Sequence, residues 1–154
     1  MRIGVIGGGA WGTALAQVAA ANGESVMLWA REYAVVTAIN LAHENTVFLP
    51  GFALSPSINA TETLDGLDNC DALLIVTPAQ HLRASLAALP KGHRSLVLCA
   101  KGLEAGTMAL MSDIAAELHP GSPIAVLSGP TFAAEVAAAK PTAVTLATRD
   151  AAFG

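Results

Sequence analysis

Three glycines, Gly7, Gly9 and Gly12, stand at the spacing G-x-G-x-x-G, directly after an apolar run at residues 3–6 and ahead of a helix-forming segment at 13–21. Each position has a physical use. Gly7 permits a tight turn off a strand, Gly9 lets a pyrophosphate approach the backbone, and Gly12 lets the helix pack close to the strand. The unpaired N–H groups and positive dipole end of that helix suit anionic groups. A Gly-rich turn in an ordinary α/β unit is the plainer alternative. The strand before, the helix after and a second strand at Ser25–Trp29 favour dinucleotide binding.

The end of that second strand is where such a site selects its cofactor. A site for NAD places an acid about twenty residues beyond the glycines, to bond the ribose 2′-hydroxyl. This chain has Ala30-Arg31 there, followed by Glu32. An arginine fork matches a 2′-phosphate, so NADPH is the expected cofactor, and Glu32 leaves NADH open. Two further strand-end loops carry polar groups. Lys101 follows the apolar run 95–100, where its ammonium can hold a substrate oxygen or reach into water from a strand end. Gly129-Pro130-Thr131 opens another helix with free N–H groups, which is either an anion site or simple capping.

Elements that position these residues follow from periodicity and breakers. Strands are predicted at 3–6, 25–29, 58–60, 72–76, 95–100, 124–127 and 143–147. Helices are predicted at 13–21, 33–41, 79–89, 107–118 and 131–139, with a short one starting at Thr61. Residues 45–56 read as a loop rich in Pro and Gly, Thr77 as an N-cap and Pro78 as the first helical residue. Strands alternating with helices predict an α/β, Rossmann-like doubly wound, mostly parallel sheet with helices on both faces. One dinucleotide-binding domain over residues 1–154 is expected.

Composition narrows the classes. Apolar residues make up 53% of the 154 and charged ones 13%, with a net charge of −4. That excess of apolar over charged residues points to packing against a partner or a further domain. No Lys/Arg cluster supports nucleic-acid binding. Cys70 and Cys99 have neither metal nor disulfide spacing and read as small buried hydrophobes. His43, His81, His93 and His119 lack ligand spacing, so no metal is expected; His93 and His119, near turns, are expected in water. Asp113 and Glu117 share a helix face and read as solvated. The glycines interrupt the signal-like start, and no uninterrupted apolar stretch could span a membrane; a cytoplasmic protein is expected.

Four segments together carry a resemblance: Gly7-x-Gly9-Ala-Trp-Gly-Thr-Ala-Leu-Ala16, Asn45-x-x-Phe-Leu-Pro50, Ala100-Lys-Gly-Leu-Glu104 and Ser128-Gly-Pro-Thr-Phe-Ala-x-Glu135. In this order they resemble the bacterial type of NAD(P)-dependent glycerol-3-phosphate dehydrogenase. The resemblance implies interconversion of sn-glycerol 3-phosphate and dihydroxyacetone phosphate, feeding glycerophospholipid synthesis. It also implies that Ala10, Trp11, Arg31, Phe48 and Ala133 contact the cofactor. Lys101 would touch cofactor and substrate as an auxiliary catalytic group, with Gly129 and Thr131 lining the substrate site. The family's proton-transferring lysine and phosphate-gripping element belong to a helical C-terminal domain, and neither occurs in this chain. The fragment is therefore expected to bind cofactor without turning over alone, with its own C-terminal domain as partner and a homodimer as one allowed arrangement. Two alternatives remain: a Rossmann-like methyltransferase, against which Arg31 argues, and a stand-alone dinucleotide sensor.

Overall fold

The computed structural model describes residues 1–150. Nine strands occur among them: β1 Arg2–Ile6, β2 Ser25–Trp29, β3 Glu44–Asn45, β4 Leu49–Ala53, β5 Ile58–Thr61, β6 Ala72–Ile75, β7 Ser95–Leu98, β8 Ile124–Ser128 and β9 Thr145–Thr148. The α-helices are α1 Ala10–Ala21, α2 Tyr33–Ala42, α3 Ala79–Ala87, α4 Met111–Leu118 and α5 Ala133–Ala137.

Seven strands form one sheet in the order β5-β2-β1-β6-β7-β8-β9. The first six are mutually parallel, and β9 runs antiparallel to β8. Counted among the parallel strands alone, this is the 3-2-1-4-5-6 order of a doubly wound dinucleotide fold, with its switch point between β1 and β6. The winding reverses there because β1 is followed outward by β2 and β5 on one side, then by β6 on the other. A crevice opens beyond the carboxyl ends of these two neighbours.

Alternation along the central strands sends side chains to two cores. Ile6, Leu73, Ile75, Leu96 and Leu98 pack under Leu82 and Leu86 of α3 and Ile114 of α4. Val5, Val26, Leu28 and Ile58 pack under α1 and α2, against Ala16, Val35 and Ile39. Burying each such side chain contributes about 1.5–3 kcal/mol, so both faces of the sheet are strongly committed to their helices. Cys70 and Cys99 are buried as expected, and burial pushes the Cys99 thiol up to about 12.

The predicted doubly wound sheet is present; several boundaries move. Helix α1 begins at Ala10 rather than Thr13, because Gly12 lacks the Cβ that would overlap the Gly7 carbonyl oxygen. Pro78, at ψ 148, occupies the N-cap of α3, so Thr77 is not the cap and the helix starts at Ala79. The stretch 45–56 is not all loop, since β3 and β4 pair there as a small antiparallel ribbon. Helix α4 starts at Met111: residues 103–110 close instead into a turn with Leu103 opposite Leu110. Helix α5 is a five-residue remnant of the predicted 131–139, preceded by an extended Phe132. His119 is not in water. It is buried, with Nε2 2.8 Å from the Leu86 carbonyl. The expectation failed because the His119 ring turns back onto the last turn of α3, while Pro120 and Gly121 beside it are exposed.

Candidate functional site

The crevice at the switch point is a cleft of about 650 Å³. Its floor is the loop from Gly7 to Gly12, one wall is Trp29, Arg31 and Phe48, and the other is Thr77, Pro78 and His81. The predicted residues Gly7, Gly9, Ala10, Trp11, Gly12, Arg31 and Phe48 all line it. A larger open groove of about 810 Å³, between α4 and β9, holds none of the predicted site residues.

Local chemistry explains the floor. Gly7 has φ +128, a conformation open to glycine, and a Cβ there would press on the backbone of Val76 and Thr77. Helix α1 has Gly9 at its N-cap, no side-chain cap and no acid in its first turn. Among the described residues no acceptor meets the N–H of Gly8, Gly9 or Ala10. A Cβ built on Gly9 would meet nothing within 4 Å. Open space, unpaired donors and an uncompensated dipole at the start of a twelve-residue helix together make a site for an anionic group. Dinucleotide pyrophosphate fits it.

At the wall, Trp29 is held by its indole N–H, which donates to the Glu62 carbonyl at 2.9 Å. Arg31 has 80% of its side chain exposed and donates to Glu32 Oε1 at 3.1 Å. Its guanidinium thus stands at the end of β2 with one neighbouring acid and can turn to a phosphate. Gly8 has no assigned role in the sequence pattern, yet a Cβ on it would lie 2.5 Å from that of Ala30, where β2 ends. The loop can therefore lie flat against the strand only with glycine there.

Lys101, Gly129, Thr131 and Ala133 lie farther along the carboxyl edge, outside the lining of this cleft. Lys101 Nζ donates to the Gly129 carbonyl at 3.4 Å, so the two loops meet. A Cβ on Gly129 would lie 2.6 Å from the Ala143 carbonyl oxygen, which excludes a side chain. Thr131 is half-buried, with Oγ1 unpartnered among the described residues. Ala133, like Ala10 and Trp11, packs against the buried cluster of Ala14, Leu49 and Val136, which joins α5 to α1.

The Lys101 loop is pinned from α3. Gln80 donates to the Leu103 carbonyl at 2.9 Å and accepts from the Ala105 N–H at 2.8 Å. Arg83 grips both oxygens of Glu104, at 2.8 and 3.1 Å, and reaches Glu117 at 2.9 Å. Those bonds, then one from Thr107, hold the Glu104 carboxyl below the usual carboxylate range. Glu117 is exposed as expected but is ion-paired, while Asp113 stays in water.

Sequence reasoning did not single out Trp29 or His81 as cleft residues. Trp29 shares the end of β2 with Arg31, so that strand end was a usable signal; for His81, one turn into α3, none was available.

Residues 2–154 match the family described as "NAD-dependent glycerol-3-phosphate dehydrogenase N-terminus". The chain belongs to this family. A glycerol-3-phosphate dehydrogenase [NAD(P)+] of Caulobacter vibrioides is 59% identical over 99% of the chain and 47% of its own length. One from Paramagnetospirillum magneticum is 57% identical over 95% of the chain and 54% of its length. The crystal structure of a glycerol-3-phosphate dehydrogenase from Coxiella burnetii superposes with a TM-score of 0.90 at 32% identity, covering 99% of this chain and 48% of that one. The chain thus spans about half the length of the relatives it matches. No helix among the described residues is long and apolar enough to cross a membrane.

Proposed function

We propose that this chain is the dinucleotide-binding half of a glycerol-3-phosphate dehydrogenase, holding NADPH, or NADH with lower affinity, across the β1–β6 crevice. The observation that carries this reading is the set of unpaired N–H groups at Gly8, Gly9 and Ala10, facing an open cleft in a chain of this family. When bound, the nicotinamide supplies the hydride donor or acceptor.

The chain's own residues then have separable tasks. The glycine loop and α1 hold pyrophosphate, and Arg31 holds the 2′-phosphate. Trp11, Phe48 and Ala133 bound the cofactor. Lys101 exchanges its contact with Gly129 for a substrate oxygen, where an ammonium favours negative charge developing on that oxygen. Gly129 and Thr131 present backbone and hydroxyl groups to the substrate, sn-glycerol 3-phosphate or dihydroxyacetone phosphate. Removal of the hydroxyl proton belongs to a lysine of a helical C-terminal half. General acid–base assistance contributes about 10²–10⁴-fold, so the chain alone binds cofactor without measurable turnover. A cytoplasmic location accords with this use.

Titration of the intrinsic tryptophan fluorescence, from Trp11 and Trp29 in the cleft, with NADPH, NADH and adenosylmethionine tests the reading. Saturable quenching by NADPH is expected. Binding of adenosylmethionine alone, or of none of the three, overturns it.

A further inference from the structure

Asn45 lies outside the cleft lining and is fully buried, and both polar atoms of its side-chain amide are hydrogen-bonded. Nδ2 donates to the Gly8 carbonyl at 2.8 Å and to Thr13 Oγ1 at 2.8 Å, while Oδ1 accepts from the Phe48 N–H at 3.1 Å. These partners orient the amide without ambiguity, because a carbonyl demands a donor and an N–H demands an acceptor. Thr13 Oγ1 in turn donates to the Gly9 carbonyl at 2.9 Å. One buried side chain thus joins the loop, the first turn of α1 and the backbone of Phe48 on the cleft wall.

The consequence lies in the peptide plane. The Gly8 carbonyl and the Gly9 N–H belong to one planar trans unit and point in opposite directions. Tying the Gly8 oxygen inward to Asn45 therefore turns the Gly9 N–H outward, into the cleft. Two glycines flanking that peptide leave it otherwise free to rotate. We propose that Asn45 is a positioning residue for the dinucleotide: it holds the Gly8–Gly9 peptide with its N–H aimed at pyrophosphate and fixes Phe48 at the same site. This rests on the dinucleotide reading above. Asn45 itself touches no cofactor; it acts through the peptide it anchors.

The test compares two ligands on the 154-residue chain: NADPH, which has a pyrophosphate, and adenosine 2′-monophosphate, which lacks one. Asn45→Ala frees the peptide, and NADPH affinity falls by tenfold or more, roughly the loss of a hydrogen bond to a charged group, while adenosine 2′-monophosphate affinity is unchanged. Thr13→Val keeps the shape of a buried side chain and removes the hydroxyl that accepts from Asn45 and donates to the Gly9 carbonyl, so it loosens the same anchored loop where Asn45→Ala fails to fold. Its expected NADPH loss is roughly two- to tenfold, with the same sparing of the monophosphate. Parallel losses for both ligands, or none for either, in a folded variant overturn the role of Asn45. A wild-type chain that binds neither ligand overturns the dinucleotide reading instead.

Discussion

Lys101 and Gly129 meet through a single exposed contact, 3.4 Å from ammonium to carbonyl, which joins the loops following β7 and β8. A bond that long in water is weak and is readily exchanged for a ligand oxygen. Lys101→Ala should change the stability of the chain by no more than about 0.5 kcal/mol, a shift of roughly 1–2 °C in Tm. In the full-length protein the same change should cut kcat for glycerol 3-phosphate sharply, and Lys101→Arg should not restore it, because the guanidinium is larger and aims its donors differently. A large fall in Tm with kcat intact would assign this lysine to the scaffold.

Gly9 and Gly12 should separate binding from folding. Around Gly9 there is room for a side chain, whereas a Cβ on Gly12 would overlap the Gly7 carbonyl oxygen. Gly9→Val should leave the thermal transition in place and abolish NADPH binding. Gly12→Ala should destabilise by about 1–3 kcal/mol through overpacking, seen as a lower Tm with or without ligand. Calorimetry beside fluorescence titration distinguishes the two.

Arg31 should set cofactor preference. Arg31→Ala is expected to weaken NADPH by about ten- to hundredfold, the worth of a charge-assisted bond, and NADH by much less. Equal losses would mean that the guanidinium does not meet the 2′-phosphate.

Acid should loosen the Lys101 loop. The Glu104 carboxyl is held below its ordinary 4.5 by the Arg83 hydrogen bonds, so the folded chain binds fewer protons there than the unfolded chain. The stabilisation is complete above that ordinary value and is lost as pH falls through the lower folded value. Thermal melts from neutral pH into acid should therefore decline more steeply in the wild type than in Arg83→Met, where only the Thr107 bond still holds the carboxyl low and the linkage is smaller.

Legibility in the sequence followed the range of the interactions. The glycine loop, the buried strands and Arg31 were readable because each depends on neighbours in the chain. Asn45 could be quoted as part of a motif, but its partners Gly8 and Thr13 lie 37 and 32 residues away, and no local pattern announces that pairing. His119 looked like a turn residue for the same reason: its partner is the Leu86 carbonyl, 33 residues earlier. The early start of α1 was hidden by glycines that depress helix propensity, a local preference that close packing against the loop overrides.

β9 forms the outer edge of the seven-stranded sheet, and among the described residues nothing pairs with its far side. The stretch from Thr142 to Thr148 is Thr-Ala-Val-Thr-Leu-Ala-Thr: uncharged, free of proline and rich in β-branched residues, with Val144 48% and Leu146 43% exposed. Natural proteins blunt such borders with lysine, proline or a bulge, and this one carries none of them. The border is a ready template for strand addition, so concentrated solutions of the isolated chain should form β-rich aggregates seeded there, and Leu146→Lys should suppress them while leaving the cofactor cleft at the central β1–β6 switch point untouched.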